Sequence, residues 1–532
     1  MCTIRADDET LAASAGITVD AAATQEEVFR LLQNPSTHGG CKVQRFDTHI
    51  SSVFLAGQRA YKVKRAVRFP FLNFTTLAKR KAACQAELEV NRAFAPEIYR
   101  RVVPITREHD GSLSINGSGI AVEYAVEMRR FDENRTLDRL AELEKIDDHL
   151  ADELGRAVVA AHKAAPIVQA EPWIEAFASF IDQNEKELAE ASDIFPPRER
   201  AALHAASRAL LDQQRPLLFA RGRLGFIRRG HGDLHLGNIA MLGDRPILFD
   251  AIEFDPLVAE GDVLYDLAFL LMDLLARGQQ RNANIVLNRY LTANGGVADL
   301  GGLAALPLFL CLRAAIRAKV TVARHRFAQP SARTSLAQSA RCYFELACQV
   351  VQPRPAMLIA IGGLSGTGKS ALAKALAPAL PPLPGAVVLR SDVERKALFG
   401  CAETERLPPK AYSAEASARV YAMLQQKAGR IIAAEHSAVV DAVFARPAER
   451  RFIADVARQR SVRFEGLFLT AGVETRLARA ASRGPDASDA NTQIIQAQED
   501  YDLGSVEWRL IDASGTPEET LDQAKQFIGE TQ

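Results

Sequence analysis

Apolar and polar residues along this chain follow three spacings in succession. From Val43 to Val67 they alternate in short runs, and SSVFLAGQRAYKVKRAV reads as two strands reversing at Gly57-Gln58. Tyr61 and Val63 fall on one side of the second strand, Lys62 and Lys64 on the other. Upstream, residues 1 to about 24 show no pattern and read as a loose arm; a helix is expected over Gln25–Leu32, broken at Asn34-Pro35. The spacing then becomes helical: Leu77, Cys84, Leu88 and Ala95 share one face of a segment that also carries Glu87 and Glu89. Ala121–Met128 alternates again as a strand, and 137–215 and 284–350 are amphipathic and helical. After a stiff linker, Val351-Gln352-Pro353-Arg354-Pro355, the run MLIAIGG has the continuous apolar character of a parallel strand buried on both faces. Further strands are predicted at 386–390, 438–443, 462–469 and 507–511, separated by helical stretches. Thr516-Pro517-Glu518-Glu519 forms a capping box for the last helix. Such alternation implies a parallel sheet with helices on both faces, hence a multidomain protein with α+β and α/β parts.

Composition narrows this picture. The 532 residues exceed one ordinary core, and 48% hydrophobic with 24% charged residues is the balance of a globular protein. Lys+Arg and Asp+Glu cancel to a formal net charge of zero, which argues against a general nucleic-acid binder. The longest apolar run, Leu303–Leu312, is interrupted by Pro307 and ends at Arg313, short of the ~18 residues that span a bilayer. The acidic N-terminus has no apolar signal segment, and the seven cysteines lack CxxC pairs. A cytoplasmic protein with reduced thiols is expected, with no membrane partner and no zinc site.

The densest chemistry in the first part is HGDLHLGNIAMLGDRPILFDAIEFD, residues 231–255. A polar loop leads into strand Ile239–Leu242, a turn at Gly243-Asp244-Arg245-Pro246, and strand Ile247–Phe249, bringing Asp233, Asn238 and Asp250 near one another. An acid, an amide and an acid at this spacing suit phosphoryl transfer: one carboxylate takes a proton from an acceptor hydroxyl, while the amide oxygen and the other carboxylate hold magnesium on ATP phosphates. Asp262 is placed to cap the helix starting at Val263, and His162, within AAHKAA, reads as a packed structural residue. Glu253 is left open between a metal or substrate contact and the surface. The stripe Arg313, Arg317, Lys319 and Arg324 is left open between an anionic substrate and a solvated helix face.

At His231-Gly232-Asp233-x-His235-x-Gly237-Asn238 and Phe249-Asp250 the chain resembles the aminoglycoside phosphotransferase family. The resemblance, over roughly 25–350, implies a bilobal protein-kinase-like fold, with a small lobe to about residue 128 and a large lobe beyond it. It implies that Lys62 holds ATP phosphates, that Glu87 holds Lys62 with Lys64 in reserve, that the backbone of Glu127 and Met128 meets adenine, and that Asp266 braces the catalytic loop. No G-x-G-x-x-G precedes Lys62, so Thr48-His49-Ile50-Ser51-Ser52 would have to cover the phosphates.

In the second part Gly363-Leu364-Ser365-Gly366-Thr367-Gly368-Lys369-Ser370 is G-x-x-x-x-G-K-S between strand and helix. Its backbone N–H groups wrap phosphates, Lys369 reaches the outer ones and Ser370 binds magnesium. Residues 356–532 resemble the small P-loop kinases, which include gluconate kinase, chloramphenicol phosphotransferase and zeta toxins. That resemblance implies Asp392 as proton acceptor, Arg395 as substrate guide, Asp441 on the metal through water, and Arg476, Arg479 and Arg483 as a charged lid. The tandem resembles a bacterial family labelled aminoglycoside phosphotransferase/ATP-binding protein, with an AAA-type label on its second half.

The expectation is therefore an ATP- and magnesium-dependent kinase with two nucleotide sites, acting on hydroxyl groups of small molecules. One alternative is a regulatory protein in which one nucleotide site senses for the other. A second is a C-terminal domain that phosphorylates a nucleotide sugar or a polynucleotide end. The motifs leave both acceptors and the oligomeric state open.

Overall fold

A computed structural model describes residues 19–69, 72–294, 296–326, 329–481, 487–489 and 492–529. The chain divides into two compact units. One comprises residues up to Arg277 together with Leu310–Cys348; the other comprises Gly278–Phe309 and Gln349 onward. The division is not a single cut at the Val351–Pro355 linker, because a segment from the middle of the chain groups with the C-terminal residues.

The first unit opens with helix α1, Val19–Gln33, longer than the expected Gln25–Leu32 and starting inside the segment read as a loose arm. Gln25 ties this helix to the sheet. Its side chain donates to Lys64 O and Glu123 Oε2 and accepts from Ala66 N, at 2.8–2.9 Å. A six-stranded antiparallel sheet follows, formed by β1 (Val43–Asp47), β2 (Ser51–Ala56), β3 (Arg59–Lys64), β4 (Tyr99–Arg107), β5 (Leu113–Ile115) and β6 (Ile120–Arg129), in the order β1-β2-β3-β6-β4-β5. The β2–β3 hairpin reverses at Gly57-Gln58 as its sequence predicts. Val28, Phe29 and Leu32 of α1 pack on Phe54, Tyr61 and Val63 of one sheet face.

The other face meets α2, Leu77–Phe94, whose buried residues are Arg80, Cys84, Glu87 and Asn91. Of the apolar face expected through Leu77, Cys84, Leu88 and Ala95, Cys84 and Ala95 are buried in the core and Leu88 packs against it; the rest of the buried line is polar, and each polar member has a partner. Arg80 Nε sits 2.8–2.9 Å from both Glu123 oxygens, and Asn91 exchanges bonds of 3.1 and 2.7 Å with the backbone of Ala251.

The larger part of this unit is helical. Hairpin strands β7 (Ile239–Leu242) and β8 (Arg245–Leu248) project from it, followed by α3, Val263–Ala276. Asp262 caps α3 through Leu264 N at 2.9 Å and forms a two-point ion pair with Arg221 at 2.6 and 2.8 Å, both side chains being fully buried. This pair fixes the start of the helix that carries Asp266. The helical run Val297–His325 is long and apolar enough to match a membrane span, and 83% of its apolar window is buried inside the protein, as in a core helix.

In the second unit α4, Gln280–Asn294, accompanies a five-stranded sheet of β9 (Met357–Gly362), β10 (Val387–Arg390), β11 (Ala438–Asp441), β12 (Arg463–Thr470) and β13 (Arg509–Asp512). The order is β10-β11-β9-β12-β13 and every pairing is parallel, the arrangement its strand–helix alternation predicts. All six residues of β9 are buried, and Ile359, Ile361, Leu372, Leu376, Val439, Leu467 and Ile511 form the core. Helices α5 (Lys369–Leu376) and α6 (Ser391–Leu398) follow β9 and β10. The Thr516–Glu519 capping box is present, with bonds of 2.9 and 3.2 Å.

Asp262→Asn keeps a good helix cap but leaves the buried Arg221 guanidinium without its counter-charge. It should destabilise the first unit by about 3–5 kcal/mol in denaturant unfolding.

Candidate functional site

The first site is built where β3 and α2 of the first unit meet the loop that follows β8. Lys62 Nζ lies 2.7 Å from Glu87 Oε1 and 2.6 Å from Asp250 Oδ1. Lys64, two residues along the same strand face, lies 2.7 Å from Glu87 Oε2 and 2.5 Å from Glu253 Oε1. One buried carboxylate therefore serves both lysines. Burial disfavours charge on Glu87, but the two ammoniums outweigh it and hold the carboxyl below its ordinary value. Burial likewise opposes charge on Lys62, and Asp250 and then Glu87 reverse the effect, raising its pKa. Burial pushes the Glu253 carboxyl upward despite Lys64 beside it. Asp250 has a φ of +62°, the left-handed region, where Asp is one of the few side chains that settle. Tyr99 OH accepts from its N–H at 3.2 Å, and Asn91 holds the next residue.

Asp233 sits in the loop before β7. Asn238 Nδ2 donates to Asp233 Oδ2 and to its backbone carbonyl, both at 3.0 Å, which leaves the amide oxygen of Asn238 for another partner. Burial alone would raise the Asp233 carboxyl; His235, 3.4 Å away, and then Arg317 hold it well below the usual carboxylate range. The loop is braced from behind. Asp266 accepts from His231 N at 2.8 Å and Gly232 N at 3.0 Å, and His162 Nε2 lies 3.1 Å from it. Arg313 is buried, donates to Gly232 O and Tyr265 O, and stacks on Tyr265. Within the basic stripe, Arg313 is buried and supports the loop, and Arg317 lies among Asp273, Tyr343 and Asp233. In the loop before β2, Thr48 Oγ1 accepts from Ser51 N at 3.0 Å, while Ser51 and Ser52 are buried.

The second site lies at the C-terminal ends of β9, β10 and β11 of the second unit. The loop Gly363–Gly368 turns tightly. Gly366 has a φ of +86°, and a Cβ there would stand 2.7 Å from Arg476 O, so only glycine fits. Lys369 Nζ donates to Leu364 O at 3.0 Å, and Thr367 Oγ1 to the same oxygen at 2.8 Å. Ser370 Oγ donates to Asp441 Oδ2 at 2.5 Å. Arg390, level with Asp441 on the neighbouring strand, reaches both, with Nη2 3.2 Å from Ser370 Oγ and Nε 3.5 Å from Asp441 Oδ2.

Asp392 stands in the first turn of α6. Burial, then the Asp441 carboxylate, push its carboxyl above the ordinary value against Arg390 and Lys369. Arg395 is buried and donates to Ala411 O at 2.6 Å, so it shapes the following loop. Arg476 donates to Ser365 O at 2.9 Å, and Arg479 to Thr367 O at 3.4 Å and Gly515 O at 2.8 Å. Arg483 lies outside the described residues.

Both sites gather hard oxygen donors. Asn238 and Asp250 in one and Ser370 and Asp441 in the other are the kind of set that magnesium uses together with phosphate oxygens. Among the described residues no group of three or more His, Cys, Asp or Glu side chains is arranged to hold a metal by itself.

Motif reading did not single out Asn91 or Arg390 as site residues, and it named Lys64 and Glu253 without pairing them. Asn91 lies one turn beyond Glu87, and Arg390 two residues before Asp392, so position relative to a known site residue was the available signal.

Fold and site together define an ATP-using kinase class with a protein-kinase-like domain and a P-loop domain. Comparison agrees with this: residues 53–306 match the phosphotransferase enzyme family model, and residues 358–501 match an AAA domain model. Uncharacterized proteins of Mycobacterium tuberculosis and Mycobacterium bovis are 28% identical over 493 residues, covering 90% of this chain and 94% of theirs. Among solved structures, a choline/ethanolamine kinase family protein from Mesorhizobium loti aligns at 15% identity with a TM-score of 0.36, over 62% of this chain and 99% of its own. A gluconokinase from Sinorhizobium meliloti aligns at 17% identity with a TM-score of 0.25, over 34% and 95%.

The opposite displacements of Asp233 and Asp392 give a pH test. A carboxylate acting as base is lost as pH falls through its pKa. The acid limb of the pH–rate profile should therefore lie higher for the C-terminal site, measured in Asp233→Asn, than for the N-terminal site, measured in Lys369→Ala.

Proposed function

We propose that this protein is an enzyme with two phosphotransferase sites, each moving a phosphoryl group from magnesium-bound ATP to a hydroxyl of a small molecule. The observation that carries the reading is a repeated grouping of a carboxylate, a lysine and a pair of hard oxygen donors. Asp233 and Lys62 accompany Asn238 and Asp250 in the first unit; Asp392 and Lys369 accompany Ser370 and Asp441 in the second.

In this reading Asp233 accepts the proton of the first acceptor hydroxyl. Asn238 holds it in place and turns its own amide oxygen, with Asp250, toward the metal. Lys62, oriented by Glu87, binds phosphate oxygens. At the second site Asp392 accepts the proton, and Lys369 with the N–H groups of Gly363–Ser370 (Leu364, Ser365, Gly366, Thr367 and Gly368 between them) cradles the phosphates. Asp441 holds the metal through water, Arg395 guides the acceptor through the loop it anchors, and Arg479 and Arg483 offset charge on the transferring group. Magnesium, when bound, neutralises phosphate charge at either site.

The catalytic segments are 25–350 and 356–532, joined by 351–355, and the cytoplasm is the compartment that supplies both cofactors. Two successive phosphorylations of one metabolite are a natural reason to join two such sites in one chain. A sensor role for the first site is the second reading. It is favoured by the phosphate-facing loop Thr48–Ser52, which has no glycine and whose serines are buried.

A metabolite-library screen for ATP consumption tests the proposal. Asp233→Asn should lower turnover on first-site substrates by about 10²–10⁴-fold, the usual worth of a general base. Lys369→Ala should abolish nucleotide binding at the second site alone. Full activity of both variants on every accepted substrate would overturn the two-enzyme reading. A first site that binds ATP without turnover across the library would favour the sensor.

A further inference from the structure

Within the second unit, α4 lies along the outer edge of the parallel sheet and pairs with it through side chains. Asn288 Oδ1 accepts from Val388 N at 2.7 Å, and Asn288 Nδ2 donates to Ala386 O at 3.1 Å. One amide thereby makes the two bonds that a neighbouring strand would make, on a strand edge that would otherwise stand open. Asn284 Nδ2 donates to the same carbonyl at 3.0 Å. The approach is close enough that a Cβ at Gly385, where φ is +125°, would stand 2.7 Å from that amide nitrogen. One residue past Asn288, Arg289 pairs with Glu403 at 2.5 Å, in the loop beyond α6. Leu291, Thr292 and Leu300 also line a small cavity with Val388 and Val393, so the same segment backs both β10 and the first turn of α6.

The strand clamped in this way runs directly into α6, whose first turn holds Asp392. By sequence α4 lies within the stretch that matches the phosphotransferase family, yet it packs with the P-loop residues. We propose that Asn288 is a positioning residue for the C-terminal site: by fixing β10 it sets the placement of α6 and its Asp392 relative to the phosphate loop. The inference rests on the reading of that site as a phosphotransferase. The phosphate loop itself hangs on β9, two strands away, and does not depend on the clamp.

The test uses the full-length chain carrying Asp233→Asn, so that only the C-terminal site turns over, with ATP hydrolysis as the probe reaction. Asn288→Ala should lower kcat about tenfold while the KM for ATP stays within about twofold, since a small displacement of a catalytic group costs rate more than binding. Hydrogen exchange should quicken at Val388 and across 391–398 but not across 357–372. Asn288→Asp keeps the acceptor for Val388 N and loses the donor to Ala386 O; it should recover part of the rate.

A kcat and an α6 exchange rate equal to the parent's would overturn the proposal. So would kcat, KM and phosphate-loop exchange all changing together. Where hydrolysis is too slow to read, the exchange of 391–398 decides. Lys369→Ala in the same background separates the two claims. Hydrolysis that survives it overturns the phosphotransferase reading of the site; hydrolysis that needs Lys369 but ignores Asn288 overturns the role of Asn288 alone.

Discussion

Glu87 is the group on which the first site is strung. A carboxylate with no exposure is costly to bury, and the cost is met because two ammoniums reach it, Lys62 and Lys64, at the same distance of 2.7 Å from its two oxygens. Each lysine then extends the network to a different point of the loop after β8: Lys62 to Asp250, Lys64 to Glu253. Strand, helix and loop are thereby fixed to one another by charge, where an apolar seam would fix only their spacing. This is why the buried line of α2 is polar, and why Arg80 and Asn91, one or two turns away, are also fully partnered. Removing Lys64 would leave Glu253 buried without its counter-charge.

The network has one open end. Asp250 is 44% exposed, whereas Glu253 is at 6% and Lys64 at 1%. The closed half, Lys64 with Glu253, holds the frame; the open half, Lys62 with Asp250, ends on a carboxylate that solvent reaches. Two charged pairs from adjacent positions of one strand therefore have different accessibility, set by which end of the α2–loop junction each one meets. A half-exposed carboxylate is easier to move than a buried one, so Lys62 has the more readily displaced partner of the two lysines.

Motifs whose chemistry is local were legible in the sequence. The phosphate loop, the strand before it, the five parallel strands and the Thr516–Glu519 cap depend on neighbours within a few residues, and the apolar periods marked them to within a residue or two. The hairpin that brings Asn238 to Asp233 was readable for the same reason. What was not legible depends on distant pairings. The seat of helix α1 on the sheet depends on Gln25, which bonds to Lys64 and Glu123 far along the chain. Nothing near Arg80 in the sequence shows that it is buried, because its partner Glu123 lies on a distant strand. Arg313, in a stripe of four basic residues, is indistinguishable by spacing from a solvated arginine; only the carbonyl of Gly232 and the ring of Tyr265 above it show its place.

The same distinction separates the two sites in how they hold the carboxylates Asp233 and Asp392. Asp233 is held below the usual carboxylate range by its neighbours His235 and Arg317. Asp392 is buried beside Asp441, so its ionised form is disfavoured unless positive charge arrives. Arg390, bonded to Ser370 and close to Asp441, already supplies some of that charge. A metal held by Ser370 and Asp441 would supply more and would lower the Asp392 carboxyl as it bound. In the first unit the side chains around Asp233 are enough to favour its ionised form. In the second, Arg390 and Lys369 do not outweigh burial and the neighbouring Asp441, so the ionised form of Asp392 would gain from any further positive charge brought beside that pair.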